Sequence, residues 1–490
     1  MDAYSICCTS PAARHTSKIY QDLWSTRPHT RVGYDQDKIL KKFVTMDSLK
    51  QRWGGDQTSK PHIGVIGAGL AGLRCADILI QNGFRVTIIE ARNRVGGRLH
   101  QEVLPNGHLA DVGPNWIHGT NDNPMLDLAK QTNTAISDWE STSCVFDESG
   151  ELLSLKDGEK YSTIMWDIIQ DAFKHSNSNS SAIDSKESLH DFFVQKVVER
   201  VPDTEADHER IRSIVMQISE MWGAFIGSPA YRQSLKFFWL EECIEGESGQ
   251  TLEFDEVVVT APLGWLKRNL DAFEPALPAR MTKAIDAIGY GCLEKVYINF
   301  PNPYWLGTEG SSRKAEGFVQ WLSPNYVPDL NPRRWNQEVV ELASLDPTVS
   351  HPTLLFYTYG EQSQYITSEL LKIPDPQKKD AFLLNFFKPY YSRLPHYSDS
   401  NPDCKPSGFM ATDWLYDELS GFGSYSNFQV GLEEGDADIR TMREGLPDHG
   451  LWLAGEHTAP FVGLGTATGA YWSGEAVGKR IAEAYYGRSK

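Results

Sequence analysis

The sequence predicts an α/β fold in which a unit built on a parallel sheet is interleaved with a second, α+β unit. Four observations support this fold class. A short apolar strand runs into a glycine turn and a helix near residue 67, and helical periodicity dominates residues 189–225. Strand-like alternation follows from residue 285, and the last residues again form a buried strand and a helix. We therefore expect the first unit to draw on both ends of the chain.

The first strand and helix have the pattern of a dinucleotide-binding unit. Residues 63–66 are apolar, and Gly67, Gly69 and Gly72 complete G-x-G-x-x-G where the strand turns into the helix. These glycines permit the turn, the approach of a pyrophosphate and close helix–strand packing, while the helix N-terminus offers free N–H groups. A second strand ends at Glu90, whose carboxylate could accept both ribose hydroxyls of an adenosine and would disfavour NADP. The alternative is a glycine-rich turn in an ordinary α/β unit.

The residues after this acid indicate which dinucleotide is bound. Arg92, the paired Gly96 and Gly97, and Arg98 form a second turn rich in glycine and arginine, and residues 113–119 form a third such loop. A nicotinamide dinucleotide has no need of these loops. FAD is longer, so further loops must pass its pyrophosphate and flavin, and an arginine supplies charge there. The pattern favours FAD.

With these loops the chain resembles the flavin-dependent amine oxidases, in the branch of the polyamine oxidases and lysine-specific histone demethylases. The N-terminal signature of that family is similar to EARNRVGGR at residues 90–98 followed by GPNWIHG at residues 113–119. The resemblance implies a Rossmann-type FAD-binding domain of the two-dinucleotide-binding-domain class. It also implies the following cofactor-binding residues: Gly67, Ala68, Gly69, Leu70, Ala71, Gly72, Glu90, Ala91, Arg92, Gly96, Gly97, Arg98, Gly113, Pro114, Asn115, Trp116, Glu456, Thr466 and Ala467.

The C-terminal part of the chain resembles the family's return to the cofactor. Glu456 resembles the acid that meets the ribityl chain of FAD, and Thr466-Ala467 opens a last helix whose N-terminus would face the flavin. No cysteine follows Cys404, so the cysteinyl-flavin link of the monoamine oxidases cannot form at the usual place and FAD should be non-covalent. Residues 461–465 read FVGLG where many family members carry a tyrosine, so a two-tyrosine cage around the amine is not expected.

Lys295 is the predicted catalytic residue. In the alternating segment 293–300 it shares a face with Leu293 and Tyr297. A lysine between apolar neighbours of an internal sheet is costly unless it has a partner or a function, although a surface lysine is the commoner case. The family places a lysine in a phrase similar to KVYINF, bridged by water to flavin N5. The resemblance therefore implies that role for Lys295.

The helical middle of the chain is predicted to build part of the substrate domain. Leu189, Phe192, Phe193 and Val197 share one helix face, and a 3.6-residue stripe runs from Ile211 to Phe225. Such stripes belong more often to a core than to a cavity wall. The polar residues 175–188 predict a loop, and the acidic cluster Glu241, Glu242, Glu245 and Glu247 predicts a solvated turn.

One segment departs from the family pattern. In the resembling enzymes several tens of residues separate a stretch similar to WLEECIEG, here residues 239–246, from a strand similar to residues 255–267. Here the two are almost adjacent, so we expect a shortened FAD-binding segment, and the competence of the cofactor site is left open. The predicted domains are an N-terminal extension (1–60), a FAD-binding domain (61–135, 246–282 and 405–490) and a substrate domain (136–245 and 283–404).

Composition limits the classes of function. The 490 residues are 40% hydrophobic and carry a net charge of −18, which argues against general affinity for nucleic acid. Seven cysteines with scattered spacing suit reduced thiols, no apolar run reaches membrane-spanning length, and no secretory signal or metal-ligand spacing is apparent. We therefore expect an intracellular, cytoplasmic protein without a metal. Its oligomeric state is open.

The function implied by the resemblance is that of a FAD-dependent amine oxidase. It would oxidise a C–N bond of a polyamine-like amine to an imine by hydride transfer to flavin N5, with O2 reduced to H2O2. The partners are then a small amine and O2. Two alternatives stay open: a flavin oxidase or desaturase acting on a secondary-metabolite intermediate, and a catalytically impaired FAD-binding paralogue. A histone demethylase is disfavoured, because the sequence shows no tower-like helical hairpin.

Overall fold

The structure is a computed structural model that describes residues 4–8, 60–117, 123–139, 144–238, 254–308, 310–311, 313–459 and 463–486. Strands β1 to β16 span, in chain order, Tyr4–Cys8, His62–Ile66, Arg85–Ile89, Gln101–Val103, Leu109–Asp111, Ala135–Trp139, Cys144–Phe146, Glu256–Val259, Gly289–Tyr290, Leu293–Asn299, Phe318–Trp321, Gln337–Glu341, Thr353–Tyr359, Gly408–Ala411, Ser426–Asn427 and Leu451–Leu453. Helices α1 to α12 span Leu70–Gln81, Pro124–Thr132, Leu155–Asn179, Leu189–Arg200, His208–Ser219, Trp222–Ile226, Leu263–Arg268, Ala279–Ala287, Gly360–Lys372, Pro376–Tyr391, Gly435–Glu444 and Ala467–Tyr486.

A parallel four-stranded sheet is assembled from distant parts of the chain, in the order β16-β8-β2-β3. One face of the central strand β2 is apolar: Ile63 and Val65 are buried there in a common core with residues of α1 and α12. The two helices lie so close that a Cβ on Gly474 would overlap the backbone of Ala71. Parallel strands covered by helices form a Rossmann-type sheet, which confirms the predicted α/β fold class.

The direction of these strands decides where a ligand can bind. In a parallel sheet the carboxyl ends of all strands meet at one edge, and ligands of doubly wound folds bind outside that edge. The glycine turn follows β2, Glu90 follows β3, and Glu456 lies three residues beyond β16. The sheet therefore brings together residues from both ends of the chain, as the sequence predicts.

A second, six-stranded sheet has the order β14-β10-β13-β12-β11-β7. One face packs on α9 and α10 through a core that includes Val296, Phe356 and Phe387. The other face carries Tyr297 and Tyr357 and packs toward Trp116 of the first unit. In this antiparallel register Lys295 pairs with Tyr357, and Tyr357 pairs with Glu338. Directly paired residues point to the same face, so the three side chains form a row on the face that meets the first unit.

Helices α3, α4 and α5 form a third packing layer, and the predicted buried face of α4 is confirmed. The loop predicted at residues 175–188 is wrong in its first part, because α3 continues to Asn179. Ser176 is buried there, and both Ser176 and Ser180 donate hydrogen bonds to the carbonyl of Lys236, at 3.2 and 2.8 Å. Tertiary hydrogen bonds thus retain helix in a sequence whose residues disfavour it.

The apolar stripe at residues 211–225 is divided between two helices. Its first part, on α5, is core, as predicted, whereas α6 begins only after a break at Glu220 and Met221. Residues 239–253, with the acidic cluster and most of the shortened segment, lie outside the described residues, as do residues 118–122 and 460–462 and most of the N-terminal extension. Across the described ranges, no helix has the length and apolarity needed to cross a membrane.

Glu294 gives the folded state a pH dependence that can be measured. Its carboxylate is buried, accepts hydrogen bonds from Thr412 Oγ1 and from the Leu415 N–H at 2.7 Å, and has a pKa raised to about 8 by burial. Because the folded state holds this proton at pH values where the unfolded chain releases it, the stabilisation is present at low pH and is lost as pH rises through the folded pKa.

We expect Glu294→Gln to become more stable relative to the wild type as pH rises from about 5 to about 8, by on the order of 1 kcal/mol per pH unit. Thermal unfolding of both proteins at several pH values measures this difference. Glu102→Gln is the control, since that side chain is 53% exposed and should shift the profile little. A difference between Glu294→Gln and wild type that does not change with pH would contradict the prediction.

Candidate active site

The glycine turn holds β2, β3 and α1 closely together. Gly67 has a φ of 103°, and its N–H donates to the carbonyl of Ile89 at 2.7 Å, which ties the ends of β2 and β3 together. A Cβ on Gly72 would overlap the Gly67 carbonyl oxygen, so close packing of α1 on the turn requires glycine there. Gly69 caps α1, and Leu70 and Ala71 begin it, which leaves the helix N-terminus at the edge of the sheet.

Glu90 is held in place by backbone donors on both sides. Its Oε2 accepts a hydrogen bond from the Ala68 N–H at 2.6 Å, and its Oε1 accepts one from the Arg92 N–H at 2.8 Å. The carboxylate therefore lies beside the glycine turn, and its predicted role in binding a ribose stays a prediction. Ala91 is exposed, and the Arg92 guanidinium pairs with Asp417 at 2.7 Å, so this arginine joins the second turn to the C-terminal part of the chain.

Arg98 joins the second turn to the acid near the C-terminus. Its side chain is buried, donates a hydrogen bond to the Ser424 carbonyl, and lies 3.8 Å from the Glu456 carboxylate. The turn before it is fixed by the Gly96 N–H, which donates to the Ala68 carbonyl at 2.9 Å. The two glycine turns and the C-terminal acid therefore form one connected structure.

Glu456 is fully buried, and its two oxygens differ in their hydrogen bonding within the described part of the chain. Oε1 accepts a hydrogen bond from Ser426 Oγ at 3.1 Å, whereas Oε2 has no hydrogen-bond partner among the described residues. Burial raises the pKa of this carboxyl to about 8, and the charge of Arg98 opposes the shift. A buried acid of this kind is costly unless a bound group satisfies it.

The last helix, α12, presents its N-terminus to the same region. Thr466 Oγ1 accepts a hydrogen bond from the Gly469 N–H at 2.8 Å, so this residue is the N-cap, and Ala467 is the first helical residue. Both residues line a cavity together with Arg98. The partial positive charge of a helix N-terminus stabilises negative charge on a group bound in front of it.

This cavity lies between the first unit and the second sheet. Of the residues predicted from the sequence, it brings together Arg98, Gly113, Pro114, Asn115, Trp116, Lys295, Thr466 and Ala467. Most of the remaining walls are apolar or aromatic. They include Met221, Trp222 and Phe225, so the end of the stripe predicted as core forms part of a cavity wall.

Lys295 is buried at the wall of this cavity, with 4% of its surface exposed. Its Nζ donates to the Asp111 carbonyl at 2.8 Å, to Asn115 Oδ1 at 2.9 Å and to the Gly113 carbonyl. Burial lowers the pKa of Lys295 to about 7, and the Asp111 carboxylate opposes that shift. The lysine therefore anchors the third loop and is placed to gain or lose a proton near neutral pH.

Two side chains of the cavity have no signal in the sequence that singles them out. Tyr357 accepts hydrogen bonds at its hydroxyl from Asn115 Nδ2 at 2.9 Å and from Trp116 Nε1 at 3.0 Å, and so holds the third loop from the sheet side. Glu338 lies next to Tyr357 in the row and also lines the cavity. Within QEVVE at residues 337–341, Glu338 resembles a strand residue that faces solvent. Its position in the cavity follows only from the pairing of β13 with both β10 and β12.

The fold and the site define a Rossmann-type FAD-binding protein with an interleaved α+β substrate unit. The chain belongs to the flavin containing amine oxidoreductases, since a sequence model of that family matches residues 70–242 and 242–482. This membership makes it one of a family of flavin-dependent oxidoreductases that act on small amines.

Individual relatives are distant. Polyamine oxidase 4 of Oryza sativa subsp. japonica is 25% identical over 483 residues, which cover 85% of this chain and 88% of the relative. Lysine-specific histone demethylase 1 homolog 2 of the same organism is 26% identical and matches 80% of this chain but 53% of its own length. Cyclohexylamine oxidase from Brevibacterium oxydans IH-35A has a similar fold, with a TM-score of 0.63, 16% identity and coverage of 87% of this chain and 99% of that chain.

Proposed function

We propose that the protein is an amine oxidase that uses non-covalently bound FAD and oxidises a C–N bond of a polyamine-like amine to an imine, with O2 reduced to H2O2. One observation carries this proposal. Lys295 is buried at the wall of a cavity that is also lined by the N-terminus of α12 and by the loop at residues 113–116. In this arrangement a buried lysine and a helix N-terminus line the same cavity.

The residues of the first unit fit FAD. The glycine turn lies at the N-terminus of α1, whose backbone N–H groups would hold the pyrophosphate, and the Glu90 carboxylate beside this turn would accept the ribose hydroxyls. Oε2 of Glu456 has no donor among the residues that the structure describes, and a ribityl hydroxyl would supply one. Thr466 and Ala467 at the N-terminus of α12 would help to hold the flavin, and the helix dipole would stabilise negative charge on it. We also propose that residues 61–135, 246–282 and 405–490 form the FAD-binding domain, and that residues 136–245 and 283–404 form the substrate domain.

When bound, the flavin would accept a hydride from the carbon beside the amine nitrogen and pass two electrons to O2. The protein's own contribution is to bind, orient and desolvate the amine. Aliphatic walls that include Met221 and Ile226 disfavour an ammonium ion, and so favour the neutral amine that can release a hydride. Lys295, whose pKa is lowered to about 7 by burial, would hold or deliver a proton beside the cavity.

The spectrum of the purified protein tests the cofactor, and a peroxide assay tests the reaction. We expect flavin absorption bands that disappear when the protein is denatured and the free flavin is filtered away. Peroxide formation with polyamines, acetylated polyamines, monoamines and amino acids would then define the amine. Folded protein that stays colourless after incubation with FAD would contradict the proposal, and bound flavin without peroxide from any amine would favour the impaired paralogue.

A further inference from the structure

Glu338 occupies a position in the cavity that the proposed reaction does not use. It lies on β12, two strands away from Lys295 on β10, and Tyr357 on β13 pairs with both residues. Adjacent strands lie about 4.8 Å apart, so the Cα atoms of Glu338 and Lys295 are separated by about 10 Å along one row. The acid and the lysine therefore lie on one wall of the same cavity, at a distance that a short alkyl chain can span.

The Glu338 carboxylate is buried, and no cation of the described residues forms an ion pair with it. Its side chain is 4% exposed, and its Oε1 has no hydrogen-bond partner in the described part of the chain. Burial, and secondly the charge of Glu220, raises the pKa of Glu338 well above its ordinary value. A buried acid that accepts no hydrogen bond costs stability, and such groups are retained where a ligand completes them.

The walls beside Glu338 suit an alkylammonium group. The rings of Trp116 and Phe318 are stacked with centroids 5.6 Å apart, and Phe225 lies 6.4 Å from Phe318. All three rings line the cavity together with Glu338. Aromatic faces attract cations and bury methylene groups, so an ammonium ion that pairs with the acid would also be favoured by its surroundings.

We propose that Glu338 is the counter-ion for a second, protonated nitrogen of the substrate, and that it makes the enzyme selective for diamines and polyamines over monoamines. This inference rests on the proposed amine oxidase function. The nitrogen next to the oxidised carbon must be neutral, whereas the distal nitrogen remains an ammonium ion. That ammonium ion would draw Glu338 into its ionised form, and the buried pair would then carry no net charge.

A matched pair of substrates tests the selectivity. Butane-1,4-diamine and pentan-1-amine have the same length and differ in whether an amino or a methyl group ends the chain. We expect wild-type kcat/KM to be at least about 30-fold higher for the diamine, because a charge-assisted hydrogen bond is lost with the monoamine. We expect Glu338→Gln to lose most of that preference, chiefly through a lower kcat/KM for the diamine.

Glu220→Gln is the matched control, because it removes a charge that acts on Glu338 without removing a side chain of the cavity wall. It should retain the preference for the diamine. Loss of the preference in Glu220→Gln but not in Glu338→Gln would overturn the assignment, and so would equal wild-type kcat/KM for the two amines.

A binding measurement covers the cases in which a variant fails to fold or neither amine is oxidised. The diamine should raise the Tm of the wild-type holoenzyme more than the monoamine does, and this difference should be absent in Glu338→Gln. If Glu338→Gln does not fold, equal Tm shifts for the two amines in the wild type overturn the inference. Bound flavin and peroxide from monoamines and diamines alike would refute only the role of Glu338, whereas protein without flavin would refute the proposed function itself.

Discussion

Purified Lys295→Met should retain flavin and turn over about a hundredfold more slowly than the wild type, the size expected when a positioned proton donor or acceptor is lost. The structure explains why the cofactor should stay. The lysine contacts Asp111 at the end of β5, and Gly113 and Asn115 of the third loop. The glycine turn, Glu90 and Glu456 are held by other contacts. Stopped-flow measurement of flavin reduction by amine and of reoxidation by O2 would locate the loss in one half-reaction.

The pKa of this lysine gives the prediction a second readout. Burial lowers the pKa of Lys295 to about 7, so if its ammonium form supplies the proton, the wild-type rate of reoxidation should fall as pH rises from about 6 to about 8. Lys295→Met should lack this dependence. A variant that merely loosened the loop at residues 111–115 would slow the reaction without abolishing its pH dependence.

Lys267→Met is the control for this substitution. Lys267 also donates its Nζ to a backbone carbonyl, that of Asp286 at 2.6 Å, but it lies on α7 and does not line the cavity. It should have wild-type kinetics. Unchanged half-reactions in Lys295→Met, at full flavin content, would remove Lys295 from the mechanism.

The first unit could be predicted because its determinants are local. Gly67, Gly69 and Gly72 specify a turn by their own backbone preferences. The apolar run before them forms the strand, and the helix ends at Asn82-Gly83. Local signals failed at α3, where Ser176 lies in a polar run but is buried against the carbonyl of Lys236. That contact depends on how α3 packs, which no window of the sequence contains.

The row of Lys295, Tyr357 and Glu338 could be predicted only in part from the sequence. Alternation within β10 places Lys295 on a face with Leu293 and Tyr297, as predicted, and the structure confirms that the residue is buried. Glu338 is more than 40 residues away along the chain and reaches the row only through the pairing of β13 with both β10 and β12. Strand register is a property of the assembled sheet, so the part of the site that would read a substrate's second charge could not be predicted.

Arg98→Met should weaken FAD binding on the order of a hundredfold or more. Arg98 is a buried cation that joins the second turn to Ser424 and Glu456, and truncating one partner of a buried charge pair costs several kcal/mol. The turn would lose its link to the C-terminal segment, and the Glu456 carboxylate would lose the charge that opposes the rise of its pKa. Titration of the apoprotein with FAD, followed by flavin fluorescence, measures the affinity.

A second variant separates loss of the cofactor from loss of the fold. Adding Glu456→Gln to Arg98→Met removes the uncompensated acid, so the double variant should unfold at a higher Tm than Arg98→Met and still bind FAD weakly. Arg94→Met is the matched control in the same loop, since its guanidinium is only half-buried and contacts the Gly97 carbonyl at 2.6 Å. Wild-type affinity for FAD in Arg98→Met would show that the two glycine turns hold the cofactor without the link to the C-terminal acid.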